Sequence, residues 1–326
     1  MGGVGEEQWA AAAGLLREAV GQGRRILLVC HVNPDGDALG SMLAVGQALA
    51  ALGGRVQATF PGPLELPEPL AGLPGQHLLV AEDAVAAPDV LVTLDAASEE
   101  RIGRFATLLA EVPSVVLDHH ASYTGFGRIS VVDPAAAATA VLAAELIERL
   151  EVPFDRDIAY CLYVGIITDT GSFRYDLTTP AVHTLAAKLL ATGLRPGEIS
   201  RRVFDTRPFG AVRLYGDVLS RAVLEPEHRL VWTTATLADL ERHGQPAYVL
   251  EGLIDGIRCA AEADVACLLK QVDADRWSVS MRSRGGTDVS RVAVALGGGG
   301  HRLAAGFTGT GSADEVIGRI RAELGR

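Results

Sequence analysis

No apolar run in this chain of 326 residues reaches the roughly 18 residues that a membrane-spanning helix requires. The Ala-rich stretch 135–147 comes nearest; Glu145 interrupts it and Glu148 follows. The first residues, MGGVGEEQWA, have neither the basic start nor the apolar middle of a secretory signal, so the expected compartment is the cytoplasm. Cysteine is scarce: Cys30, Cys161, Cys259 and Cys267 form no CxxC pair and sit among aliphatic neighbours. They read as small buried hydrophobes, which excludes a disulfide scaffold and a thiolate zinc site. Lysine is nearly absent, with only Lys188 and Lys270. A basic excess is missing too, since the net charge is −11. Residues 1–195 carry 12 Lys and Arg against 23 Asp and Glu, while residues 196–326 carry 17 of each. A protein that coats long duplex needs the opposite balance, because its affinity comes from neutralised phosphates. There is also no GxSxG and no convincing Cys–His arrangement, so no serine or cysteine nucleophile is evident.

What is present is an alternation of short aliphatic runs and helical spacing. Ile26–Cys30, Val56–Thr59, Val90–Leu94 and Ser114–Leu117 read as buried strands. Residues 7–20, 38–53, 99–110, 135–150, 155–168 and 180–192 read as helices. Such alternation predicts an α/β fold: a parallel sheet with helices on both faces. Residues 61–76, rich in Pro and Gly, read as a surface loop. From 197 to 222 the chain is helical with a break near Pro208, and beyond it the style changes. Leu230–Thr234, Val265–Gln271 and Trp277–Met281 read as strands, with helices near 236–243, 248–258 and 312–324. The expected organisation is a first domain at 1–195, a helical linker at 196–222 and a smaller α/β domain at 223–326.

Residues 26–41 read ILLVCHVNPDGDALGS, so an apolar strand runs straight into His31, Asp35 and Asp37. Val90–Leu94 ends in Asp95, and Ser114–Leu117 ends in Asp118, His119 and His120. The apolar segment Tyr160–Thr168 ends in Asp169, just before Gly171. Ligands of an open parallel sheet gather at the carboxyl ends of its strands. Each acid has an ordinary reading when taken singly. Asp37 can cap the helix beside it, Asp35-Gly36 is common turn chemistry, and Asp95 or Asp169 can be loop residues. Taken together, crowded carboxylates repel one another, and only cations or protons relieve that. Asp and His without Cys suit divalent ions such as Mn2+ or Mg2+. Two such ions about 3.5–4 Å apart would use this number of ligands.

In the second domain, residues 280–307 read SMRSRGGTDVSRVAVALGGGGHRLAAGF. Consecutive glycines let backbone N–H groups approach a phosphate, and Arg282 and Arg284 flank Ser283 with two guanidiniums. From these residues alone, a flexible turn beside solvated arginines stands as an equal alternative.

The segments HVNPDGDALGS from His31 to Ser41, Asp95, Asp118-His119-His120 and GIITDTG from Gly165 to Gly171 resemble the four motifs of the DHH phosphoesterase superfamily, in order and spacing. GGGGHRLAAGF resembles the glycine-rich stretch of the DHH-associated C-terminal domain, so the resemblance spans nearly the whole chain. It implies that His31 and Asp35 hold one divalent cation, that Asp37, His119 and Asp169 hold the other, and that Asp95 bridges both. It implies that Asp118 orients ligands from behind and that His120 points at the substrate phosphate, which makes Asp95, Asp118 and His120 the expected catalytic residues. It assigns substrate contacts to Arg282, Ser283, Arg284, Gly298, Gly299, Gly300 and His301. It also implies a helix from Val289 to Leu296, with Asp288 near its start. One departure is LDAASEE after the second motif, where many relatives have a hydroxyl residue behind the Asp.

The chemistry implied is phosphoester hydrolysis with two cations, Mn2+ first and Mg2+ second, in which an activated water attacks phosphorus in line. Metals in one lobe and Arg and His in the other would close around the substrate. The compact length resembles the stand-alone nanoRNase and pAp phosphatase group. The expected substrates are therefore very short single-stranded RNA and 3′-phosphoadenosine 5′-phosphate, with no long duplex and no membrane as partner, and relatives suggest a homodimer. Two other readings stay open: a soluble phosphodiesterase for cyclic di-AMP or pApA, and a metal-dependent nucleotide-binding module without turnover.

Overall fold

The structure, a computed structural model, describes residues 4–325. Two compact units divide between Thr206 and Arg207. The first contains α1 (Glu6–Gly21), β1 (Arg25–Cys30), α2 (Gly36–Ala51), β2 (Arg55–Thr59), β3 (Val90–Leu94), α3 (Leu108–Glu111), β4 (Ser114–Asp118), β5 (Ile129–Val132), α4 (Thr139–Arg149), α5 (Arg156–Asp169), α6 (Pro180–Leu190) and α7 (Pro196–Phe204).

Its five strands form one parallel sheet in the order β2-β1-β3-β4-β5. Both faces of β1 are covered, which is why ILLVC reads as an unbroken apolar run rather than an alternation. Ile26, Leu28 and Cys30 pack with residues of α1, α2, α4 and α5, while Leu27 and Val29 pack with Ile102, Phe105 and Phe126. That second face is covered chiefly by a 3₁₀ segment, Glu99–Thr107, where helical spacing predicts an α-helix. Gly103, at φ 54°, breaks the segment, and only Leu108–Glu111 continues as α. The chain leaves β1 toward β2 on one side and returns through β3 on the other. The β1/β3 boundary is thus a topological switch point, where α/β sheets place their ligands.

α2 is buried nearly all round and lies against α4 and α5. A Cβ on Gly165 would stand 2.7 Å from Ala140 Cβ and 2.8 Å from Asp37 Oδ1, so only glycine lets α5 come this close.

The second unit contains α8 (Phe209–Ser220), β6 (Val223–Glu225), β7 (Leu230–Ala235), α9 (Leu237–His243), α10 (Ile254–Ile257), β8 (Val265–Asp273), β9 (Arg276–Ser283), α11 (Val289–Ala295), β10 (Gly299–His301), β11 (Ala304–Thr310) and α12 (Ala313–Leu324). Its six strands run in the order β10-β11-β9-β8-β7-β6, antiparallel except for the parallel pair β7–β8. One face packs with α11 and α12, the other with α8, α9 and α10. The helix expected at 248–258 is a 3₁₀ turn, Ala247–Leu250, followed by the short α10. Three cysteines are buried as expected, but Cys259 is exposed.

Candidate metal centre

Because β1, β3 and β4 are sheet neighbours, the residues at their carboxyl ends meet. His31 follows β1, Asp95 follows β3, and Asp118 ends β4 with His119 and His120 behind it. Asp35 and Asp37 stand at the start of α2, and Asp169 is the last residue of α5.

The two inner imidazoles are oriented alike. His31 Nδ1 lies 2.8 Å from the Val32 carbonyl, and His119 Nδ1 lies 3.1 Å from the Ala136 carbonyl. A carbonyl oxygen only accepts, so in each ring Nδ1 carries the hydrogen and Nε2 is the atom turned inward, where it could serve a cation. His31 Nε2 is 3.5 Å from Asp95 Oδ2 and 3.8 Å from Asp35 Oδ2. His119 Nε2 is 3.0 Å from Asp169 Oδ2, 3.7 Å from Asp95 Oδ1 and 3.8 Å from Asp37 Oδ2. Among these residues His31–Asp35–Asp95 and Asp37–His119–Asp169 each lie close enough to share one ion, and Asp95–Asp118–His120 forms a third such group. Asp95 faces both imidazoles with different oxygens. It holds that pose at φ 58°, a left-handed conformation that a short polar residue tolerates and that clusters at functional sites.

The surrounding backbone fixes the carboxylates. Asp35, and not Asp37, caps α2: its Oδ1 accepts the N–H groups of Asp37 and Ala38, each at 3.0 Å. Asp37, fully buried, instead caps α4 from a distance, accepting the N–H of Thr139 at 2.6 Å and of Ala140 at 2.8 Å. The Thr139 hydroxyl donates to Asp95 Oδ1. His120 Nδ1 lies 2.7 Å from Asp118 Oδ1, which fixes that ring as well, while Asp118 Oδ2 is buried without a hydrogen-bond partner.

The electrostatics are those of crowded acids out of water. Burial, then the charges of Asp95 and Asp169, push the Asp37 carboxyl well above the usual carboxylate range. Burial opposes charge on Asp95, yet the contact with His31 and the nearby His120 and His119 hold it below that range. At His31 burial works against the cation, but the contacts with Asp35 and Asp95 outweigh it and push the group up to about 10. His119 is raised too, with Asp169 overcoming burial. Without cations the centre must store protons, and inward Nε2 atoms, an Asp95 that faces both imidazoles and the orphaned Asp118 oxygen fit divalent ions in their place.

In the second unit, Arg282 on β9 pairs with Ala304 on β11, which pairs with His301 on β10. Directly opposed residues share a sheet face, so Arg282 and His301 stand in register on one face with only alanine between them. Ser283 and Arg284 are otherwise engaged. Ser283 Oγ accepts the N–H of Gly285 at 3.0 Å, and Arg284 Nη1 donates to the Ala260 carbonyl at 2.8 Å. The glycine stretch is not a free loop: Gly299 and Gly300 belong to β10. A Cβ on Gly298 would stand 2.1 Å from the Gly306 carbonyl oxygen, and Gly300 sits at φ 138°. Close approach to β11 therefore already demands these glycines.

Sequence reasoning passed over Thr139, hidden in an alanine tract, and Asp264, whose Oδ1 accepts the Gly286 N–H at 3.0 Å and steadies the turn after Arg284. Neither carries a local pattern that would have marked it.

Residues 25–166 match the DHH family, N-terminal domain, and residues 235–325 match the DHHA1 domain. The bifunctional oligoribonuclease and PAP phosphatase NrnA of Thermus thermophilus is 35% identical over 315 residues, covering 92% of this chain and 90% of that protein. The protein of the same name from Bacillus subtilis is 27% identical over 299 residues, covering 86% and 88%. A crystal structure of an exopolyphosphatase-related protein from Bacteroides fragilis matches with a TM-score of 0.87 at 25% identity, over 99% of this chain and 96% of that one.

Proposed function

The chain belongs to the DHH family and carries a DHHA1 domain, and from that premise we propose that it hydrolyses phosphoester bonds in very short RNA and in 3′-phosphoadenosine 5′-phosphate. The observation that carries this reading is the pair of donor groups with Asp95 facing the imidazole of each, in a chain so similar to an oligoribonuclease and PAP phosphatase. His31 and Asp35 hold one divalent cation, Asp37, His119 and Asp169 hold the other, and Asp95 serves both, with Mn2+ the favoured ion and Mg2+ the alternative. Bound there, the cations supply Lewis acidity toward the phosphoryl group. Asp118 accepts from His120 Nδ1, which leaves Nε2 of that ring to meet a phosphate oxygen. Arg282 and His301, in register on one face of the second sheet, bind the remainder of the substrate. Substrate binding accordingly belongs to 223–326 and chemistry to 1–195, with 196–222 as the link. Short single strands and small nucleotides suit a chain of net charge −11 better than long duplex does. The reading carries with it a cytoplasmic location and a homodimer; no helix among the described residues is long and apolar enough to cross a membrane.

The test is to incubate the purified protein with Mn2+ and, separately, pAp, a labelled five-nucleotide RNA, pApA and cyclic di-AMP. Release of AMP from pAp and of mononucleotides from the RNA is expected. Turnover confined to cyclic di-AMP or pApA would replace this reading with that of a cyclic-dinucleotide phosphodiesterase. Binding without turnover on any of them would leave a nucleotide-binding module.

A further inference from the structure

Arg101 lies six residues beyond Asp95, in the 3₁₀ segment that covers one face of the sheet. Its carbonyl accepts the N–H of Val32, the residue after His31, at 2.9 Å. The backbone of Arg101 is thereby fastened to the strand end that carries the first imidazole. The side chain is half-buried, and its Nε is shut off from solvent with no hydrogen-bond partner. Among the described residues, no carboxylate comes within ion-pair distance of this guanidinium and no aromatic ring lies beneath it. Arg104, one turn on, shows the ordinary behaviour: it pairs with Glu82 and lies over the Phe105 ring.

An arginine has five N–H donors and is almost never withdrawn from water unless it is paired. Here partners are not scarce, since residues 1–195 hold 23 acids against 12 basic residues. A role confined to the fold would show at least one bond from the guanidinium to a carbonyl or a carboxylate, and among the described residues there is none. A cation with an unmet Nε–H, its backbone fastened beside a centre otherwise built of acids, is complementary to an anion that arrives from outside. Guanidinium geometry matches phosphate oxygens in particular.

We propose that Arg101 is a phosphate-binding residue of this centre, taking a non-bridging oxygen of the substrate's scissile phosphate. This deepens the phosphoester reading and rests on it. The Nε–H left unmet in the free protein then finds its partner in the bound substrate.

The experiment compares wild type with Arg101→Gln and Arg101→Lys in four measurements. Thermal unfolding of the metal-free proteins should be unchanged for Arg101→Gln, because no native hydrogen bond is lost. Affinity for Mn2+ should be unchanged or higher, because a positive charge near the ions is removed. Binding of inorganic phosphate to the Mn2+-loaded protein should weaken about tenfold or more, as for loss of a charge-assisted contact. If wild type hydrolyses pAp, kcat/KM should fall about 100-fold in Arg101→Gln, with partial recovery in Arg101→Lys or on adding guanidinium. Equal phosphate binding by wild type and Arg101→Gln overturns the proposal, as does a large loss of thermal stability shared by both variants. The phosphate measurement needs no turnover, so it decides on Arg101 even if wild type hydrolyses nothing. In that case it is the phosphoester reading that fails.

Discussion

The Thr139 hydroxyl donates to Asp95 Oδ1 at 2.9 Å, and both residues are almost wholly buried. This bond leaves Asp95 Oδ2 toward His31 and constrains how Oδ1 faces His119. Replacing Thr139 by Val keeps the shape and the backbone N–H that Asp37 uses, and removes only the hydroxyl. Groups that orient a metal ligand typically account for about 10–100-fold in metal affinity. Thr139→Val should therefore weaken Mn2+ binding by at least about tenfold with little change in fold, measured by calorimetric titration. Unchanged affinity would show that Asp95 needs no such support.

Metal binding should compete with protons, and the sign follows from the imidazoles. His31, pushed up to about 10, is an imidazolium at neutral pH in the metal-free protein. A cation requires the neutral ring, so loading expels a proton, and a lower pH favours the competitor. Affinity for Mn2+ should rise as pH increases from about 6 to about 9, with net proton release seen by titration in buffers of different ionisation enthalpy. A pH-independent affinity with no proton release would contradict this electrostatic picture.

Arg282 and His301 share one face of the second sheet, apart from the carboxylate centre in sequence and in unit. Arg282→Ala should raise KM for pAp about tenfold or more, through loss of a charge-assisted phosphate contact, and leave the bound Mn2+ unaltered. Loss of metal in that variant would refute the division of labour between the two units.

Gly165 allows α5 to reach Asp37. A methyl group there would press on Ala140 Cβ and Asp37 Oδ1 at 2.7 and 2.8 Å. Gly165→Ala should cost about 1–3 kcal/mol by overpacking, read from denaturant unfolding, and should weaken metal binding with it. A variant as stable as wild type would mean that α2 and α5 separate easily.

Much of the first unit was legible because its strands are buried on both faces and its helices are long and periodic. Val90–Leu94 falls on the residues that the apolar run marks, and the ligand types stand out by ending such runs. β5 escaped notice because ISVV is short and mostly half-buried. β10 and β11 were hidden by glycine, which disfavours strands unless, as at Gly298, a neighbouring backbone leaves no room for a side chain. The 99–107 segment has the spacing of a helix, but Gly103 in a left-handed conformation prevents a continuous one. Thr139 reaches Asp95 through a contact across the fold, and no local pattern reports that. The resemblance assigns Gly298, Gly299 and Gly300 to substrate contacts, while from the residues alone a flexible turn stood as an equal alternative; the sheet supplies a structural reason for the same glycines.

The most direct test of the whole account is anomalous scattering, at the manganese edge, from crystals of the protein soaked in Mn2+. Two peaks are expected, one among His31, Asp35 and Asp95 and one among Asp37, His119 and Asp169, with Asp95 touching both. A single peak, or none within reach of Asp95, would contradict the claim that these separated residues form one two-cation centre.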